Sequence, residues 1–246
     1  MRVALFITCL ADGLVPGVAK ATVRLLRRLE VDVDVPLQQT CCGQMHVNTG
    51  YPREALPLVR NHTSAFAGYD YIVTPSGSCA ASVRHQHADV ARLSGDEQLA
   101  VEVRAIGSRT YELSEFLVDV LGVEDVGAYY PHRVTYHPTC HSLRLLKVGD
   151  RPLRLLRNVE GLELVELRDA ESCCGFGGTF SLKNSAVSAA MLSDKTASVV
   201  ATGARTCTAV DSSCLLHIGG GLSRESAPTR TLHLAEILAS TKGDVG

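Results

Sequence analysis

The apolar positions along the chain change period repeatedly, and each change predicts an element. The opening run "RVALFIT", residues 2–8, is short and β-rich, so a first strand is expected there. Asp12 and Gly13 then interrupt the apolar run and no cleavage pattern follows, which favours a strand over a targeting segment. In "VPGVAKATVRLLRRLE", residues 15–30, Val15, Val18, Ala19, Thr22, Leu25, Leu26 and Leu29 fall on one face at helical spacing. The opposite face carries Lys20, Arg24, Arg27 and Arg28 and is read as solvated. "VDVDVP" alternates as a second strand. "REALPLVRNHTSAFAGY" predicts a second helix, with Pro57 marking its start or an irregularity, and "YDYIVT" predicts a third strand.

The same order recurs. Sliding the chain by about 131 residues lays "RVALFITC" on "RVTYHPTC" and "RLLRRLEVDVDV" near "RLLRNVEGLELV". A β-α-β-α-β order used twice predicts an α/β fold: two tandem, duplicated Rossmann-like halves with mostly parallel sheets. The halves are expected at residues 1–130 and 131–246. At 246 residues the length suits two units of this size.

The repeat is also a cysteine repeat. Cys9 is separated by 31 residues from the pair Cys41-Cys42, and by 36 more from Cys79. In the second half Cys140 is separated by 32 residues from Cys173-Cys174, and by 39 more from Cys214. Eight of the nine cysteines belong to this pattern; Cys207, whose counterpart lies near Ile72, is expected in the core of the strand "RTCTAV". Each repeated cysteine should follow the C-terminal end of a parallel strand, the edge at which loops converge and ligands bind in open α/β sheets.

Composition narrows the chemistry. The net charge of -2 excludes a strongly basic nucleic-acid binder or a polybasic membrane anchor, and 46% hydrophobic residues supply an ordinary core. Apolar runs are too short to span a bilayer. Cysteine-rich chains without a secretory signal point to metal or redox chemistry in a reducing compartment, here the cytoplasm, rather than to a disulfide framework. Packing alone does not demand Cys-Cys-Gly twice. Four convergent thiolates suit zinc or an iron–sulfur cluster. The chain has no C-x-x-C knuckle, and adjacent cysteines diverge on an extended backbone, so they reach different irons of a cluster more readily than two corners of one zinc. Glycine after each pair permits a tight turn.

With "CCGQMHVNTGY", "PSGSC", "YHPTC", "SCCGFGGTFSLK" and "DSSCLLHI" in place, the chain resembles the cysteine-rich CCG-domain family along essentially its whole length. Members include the B subunit of heterodisulfide reductase and iron–sulfur subunits of glycolate and glycerol-3-phosphate oxidising complexes. The resemblance is strongest to a branch of stand-alone proteins that serve L-lactate oxidation to pyruvate. It implies an electron-transfer component, with one or two clusters of [4Fe–4S] type, acting with a ferredoxin-like iron–sulfur protein and a small third protein. It also implies Cys9, Cys41, Cys42 and Cys79 as ligands of one site, and Cys140, Cys173, Cys174 and Cys214 as ligands of the other. In the heterodisulfide reductase branch a C-x-x-C ending supplies a fifth cysteine and a non-cubane cluster; Ser76 and Asp211 stand at those positions here. That departure favours electron transfer over thiol–disulfide chemistry. An iron–sulfur subunit of a glycolate or glycerol-3-phosphate oxidising complex carries the same motifs and stays open at the level of sequence.

Other side chains beside the thiols are candidates for lesser roles. His46, His137, His141 and His217 flank the cysteines, and His137 and His141 are the preferred ones for proton or substrate handling. Asp211 is expected to cap a helix or to act as a weak ligand. Arg144, Lys147, Arg151, Arg154 and Arg157 form a basic stretch, read as a solvated helix face or as a docking patch for an acidic partner. "CCGFGG" lacks the G-x-G-x-x-G spacing, so a nicotinamide or flavin site has no support.

Overall fold

The computed structural model describes residues 1–244, so the last two residues of the second half, 245–246, lie outside the described residues. The first strand, β1, spans Val3–Leu5, and β2, β3 and β4 span Val33–Asp34, Tyr71–Thr74 and Thr110–Glu112. They form an all-parallel sheet in the order β2-β1-β3-β4. The second half repeats this with β5 (Arg133–Tyr136), β6 (Glu163–Val165), β7 (Thr206–Ala209) and β8 (Arg230–His233), in the order β6-β5-β7-β8. Three strands per half are visible in the periodicity. The fourth strand of each half is not visible there, since "TYE" and "RTLH" carry no apolar run or alternation.

The predicted helix after β1 is Gly17–Arg28, with Val18, Ala21, Thr22, Leu25 and Leu26 buried against the sheet. Its charged face is not wholly solvated, because Arg28 reaches across and donates to the carbonyls of Leu238 and Ala239. Pro57 lies in the first turn of the helix Leu56–Phe66, where a missing N–H costs nothing. Cys207 is fully buried in β7, and burial pushes its thiol up to about 12.

The halves do not fold side by side as separate bodies; they share one core. Val3, Leu5 and Leu25 of the first half cluster with Val134, Tyr136, Leu155 and Leu234 of the second. The packing is reciprocal. Helix Gly17–Arg28 packs on Leu234–Ala239, and its repeat counterpart Arg151–Arg157 packs on Leu113–Glu115, the counterpart of Leu234–Ala239. Two copies of one unit that contact each other through the same pair of surfaces are related by an approximate two-fold axis. The basic stretch takes part in this seam. Arg151 is held by Asp119 at 2.8 Å and Arg154 by Glu124, so two of the five cations are paired within the chain instead of facing a partner.

Glu112 lies at the end of β4, fully buried near this seam. One oxygen, Oε2, accepts from the Ser114 N–H and hydroxyl, while Oε1 has no partner. Burial, with Glu115 and Asp211 as further negative neighbours, raises its carboxyl from 4.5 to about 8. A carboxyl whose folded value lies above its unfolded one favours the folded state least when ionised. Stability is therefore fully retained below pH 4.5 and lost as pH rises toward 8. Glu112→Gln is expected to flatten that loss and to stabilise the metal-free protein by a few kcal/mol, on the order of 1.4 per pH unit in the window, at pH 8. Urea unfolding at pH 5 and pH 8 measures this, and an unchanged pH slope in the variant would contradict it.

Candidate metal centre

Each half brings its four thiols together by the same local devices. Cys9 opens a short helix, Cys9–Leu14, whose first turn is capped by the Thr8 hydroxyl accepting from the Ala11 N–H at 3.2 Å. Cys41-Cys42 follow β2 and end at Gly43, whose φ of 82° is left-handed. Gly175, in the second pair, has a φ of 88°, and a Cβ there would stand 2.6 Å from the Ser188 carbonyl oxygen. The glycine after each cysteine pair is thus required by backbone conformation. Its N–H also donates to the first sulfur of the pair: Gly43 to Cys41 at 3.4 Å and Gly175 to Cys173 at 3.3 Å. Cys79 sits in the first turn of the helix after β3, where Ser76 caps its N–H at 3.2 Å.

The adjacent cysteines point to different neighbours, as the extended backbone requires. Cys9 Sγ lies 3.6 Å from Cys41 Sγ, and Cys42 Sγ lies 3.5 Å from Cys79 Sγ. These separations are far outside the ~2.05 Å of a disulfide, and all nine cysteines are free. Hydrogen bonds from neighbouring thiols, seconded by the glycine N–H, push Cys41 and Cys173 well down into the thiolate form. Cys9 and Cys140, each hydrogen-bonded to that thiolate, are pushed up, as are Cys42 and Cys174. The same pattern recurs in both halves, so the two thiol sets are built alike.

The tertiary structure adds a feature that the repeat does not state. All eight cysteines line a single cavity, together with Gln44, Met45, Ser76, Ser78, His141 and Asp211. Its volume is about 130 Å³. Ser76 and Asp211, equivalent in the repeat, meet across the two-fold. Asp211 Oδ1 accepts from Ser76 Oγ at 2.7 Å, Ser78 Oγ at 2.8 Å and the Ser78 N–H at 3.1 Å. The sequence places Asp211 as a cap of its own helix, Ser212–Arg224; it makes no such bond and caps the Cys79 helix of the other half instead.

The histidines separate by position. His46 is exposed, and His217 meets Ser188 at 3.4 Å beside the Phe176 ring. His141 lines the cavity and contacts Gln44 across the seam at 3.1 Å. His137 is buried behind the second set, and one of its ring nitrogens and the sulfurs of Cys174 and Cys214 all lie within 4.8 Å of one another.

Lys195 belongs to no motif in the sequence. It is fully buried, donates only to the carbonyls of Asp169 at 2.9 Å and Ala170 at 3.3 Å, and has no carboxylate partner among the described residues. Burial lowers its pKa, and Cys174, Cys207, Cys140 and Asp169 are the neighbours that offset this. Its signal is the buried stripe Ser188, Lys195, Thr196 and Val199 at helical spacing. A buried ammonium that is hydrogen-bonded only to carbonyls and lies beside the second thiol set suits a thiolate-bound group of net negative charge, so the residues present suit an iron–sulfur centre.

No helix among the described residues is long and apolar enough to cross a membrane. Residues 3–84 and 134–219 match the family described as Cysteine-rich domain, CCG, so the two matched segments carry the two thiol sets. Over 239 residues the chain is 49% identical to lactate utilization protein A of Geobacillus kaustophilus, covering 97% of this chain and 98% of that protein. It is 47% identical to lactate utilization protein A of Geobacillus thermodenitrificans over 97% of this chain and 98% of that protein. The corresponding protein of Bacillus pumilus is 45% identical over 98% and 100%. Two matched segments, each ending its strands in the same four-thiol arrangement, establish that the chain belongs to the cysteine-rich CCG domain family.

Proposed function

We propose that this chain is the iron–sulfur, electron-carrying component of a multi-protein system that oxidises L-lactate to pyruvate. The observation that carries the reading is the convergence of all eight repeated cysteines on one cavity at the seam of the two halves. The near full-length likeness to proteins named for lactate utilization supports lactate over glycolate or glycerol-3-phosphate. In this reading the units 1–130 and 131–246 each hold one cluster of [4Fe–4S] type. When bound, such a group supplies one-electron uptake and release at a potential set by its surroundings.

The chain's own residues do the rest. Cys9, Cys41, Cys42 and Cys79 hold one group, and Cys140, Cys173, Cys174 and Cys214 hold the other. The N–H groups of Gly43 and Gly175 donate to sulfur and offset thiolate charge. Lys195 does so from below the second set. Ser76 and Asp211 bind each other across the seam, at the positions where the disulfide-reducing branch carries a fifth cysteine, which supports electron transfer over disulfide chemistry. Cys9 is exposed, and Met45, 45% exposed, stands at the same cavity. That opening is where a ferredoxin-like partner and the third protein of the system would approach.

Anaerobic reconstitution with iron and sulfide tests the reading. The wild-type protein is expected to gain iron, acid-labile sulfide and a reducible visible chromophore, and Cys42→Ser and Cys174→Ser are each expected to remove about half of the iron. Stoichiometric zinc without a reducible chromophore would overturn it, and turnover of a disulfide substrate by the isolated chain would favour thiol–disulfide chemistry of the heterodisulfide reductase kind. A second outcome concerns Asp211. Asp211→Ala leaves Ser76 and Ser78 without their acceptor and is expected to cost roughly 2–4 kcal/mol in urea unfolding while iron content stays at the wild-type value. Loss of iron from a still-folded variant would instead make Asp211 a ligand.

A further inference from the structure

The two thiol sets differ at one residue that the repeat register identifies. β1 pairs β3 through Leu5↔Val73, and β5 pairs β7 through Tyr136↔Thr208. The next residue in each strand makes the same backbone bond: Phe6 N–H to the Val73 carbonyl and His137 N–H to the Thr208 carbonyl, both at 2.8 Å. Phe6 and His137 are therefore structural equivalents. Phe6 packs against His62 at 4.7 Å and Phe66 at 5.6 Å between ring centroids, in an apolar cluster that includes Cys42 and Cys79. Their counterparts in the second half are Cys174 and Cys214, the two sulfurs that His137 approaches.

His137 is 1% exposed, and neither ring nitrogen has a hydrogen-bond partner. A buried polar atom without a partner costs on the order of 1–3 kcal/mol, and phenylalanine avoids that cost in the first half. A ligand bond from one ring nitrogen repays that cost, and Cys174 and Cys214 stand beside it. The Ala170 carbonyl faces the ring. Metal-bound histidines usually give their second ring N–H to such a carbonyl.

We propose that His137 is a ligand of the metal centre in the second half, so that this site is a mixed imidazole–thiolate site while the first is all thiolate. The inference rests on the iron–sulfur reading for the identity of the group, but the ligation itself follows from His137, Cys174 and Cys214. His137 then adds a neutral imidazole to the four thiolates of the second site, and Phe6 offers no counterpart at the first.

The test uses the full chain, reconstituted with iron and sulfide, reduced, and examined by pulsed EPR with and without ring-¹⁵N histidine. One strongly coupled histidine nitrogen is expected in the wild type and is expected to vanish in His137→Phe, the residue that the first half already accommodates. Absence of that coupling in the wild type, or its persistence in the variant, would overturn the proposal. Cobalt(II) titration of the sulfide-free protein decides ligation independently. His137→Phe is expected to weaken cobalt binding at the second site by at least about 10-fold, and unchanged affinity would overturn the proposal. If the wild type forms no iron–sulfide chromophore, the proposed function fails while the cobalt result still decides His137. His137→Gln enters the same assays should thermal melting show that His137→Phe does not fold.

Discussion

Asp211 holds the two halves at the place where their chemistry meets. It is buried, accepts three hydrogen bonds at one oxygen, and takes all of them from the opposite half. A carboxylate inside a protein is tolerated only when hydrogen-bonded, and here the donors exist only if the approximate two-fold is formed. The same residues stand at the head of the helices that carry Cys79 and Cys214. Docking the halves and facing the two thiol sets toward one cavity are therefore a single event. The shared core around Val3, Leu25, Val134 and Leu155 supplies the apolar burial, and the Ser76–Asp211 contact sets the relative orientation.

Within each half the site follows from parallel-sheet geometry and from two local constraints. Parallel strands end on one edge, so thiols far apart in the chain arrive at one place. A left-handed glycine then turns the cysteine pair so that one sulfur meets the first cysteine and the other meets the last. The glycine N–H, aimed at sulfur, follows from the same turn.

Duplication is not identity. Phe6 and His137 occupy one structural position, as do His62 in the first half and Lys195 in the second by the alignment of "HT" with "KT". The first set backs onto the rings of Phe6, Phe66, His62 and His87, while the second backs onto the His137 imidazole and the Lys195 ammonium. The symmetric scaffold thus carries unsymmetric side chains beneath its two thiol sets.

The eight repeated cysteines, the α/β class and the duplication were legible in the sequence because each leaves a periodic or identity signal that survives without coordinates. Cys207 as a core residue was legible by the same reasoning, since the repeat leaves it without a partner. The strands β4 and β8 were not, because "TYE" and "RTLH" are rich in polar residues and show no apolar run or alternation. Arg28, Arg151 and Arg154 read as solvated charges because a helical wheel shows which face is polar but not which carbonyl or carboxylate another segment brings to it. Asp211 read as a local cap for the same reason, its true partners lying 135 and 133 residues away. Sequence by itself determined what each half contains and which strand edge the thiols follow, because those are properties of local period and spacing. Only the tertiary structure decided that the two edges face one another across a shared cavity, with His137 and Lys195 beneath one set alone, because that depends on reciprocal packing between segments that no local pattern connects.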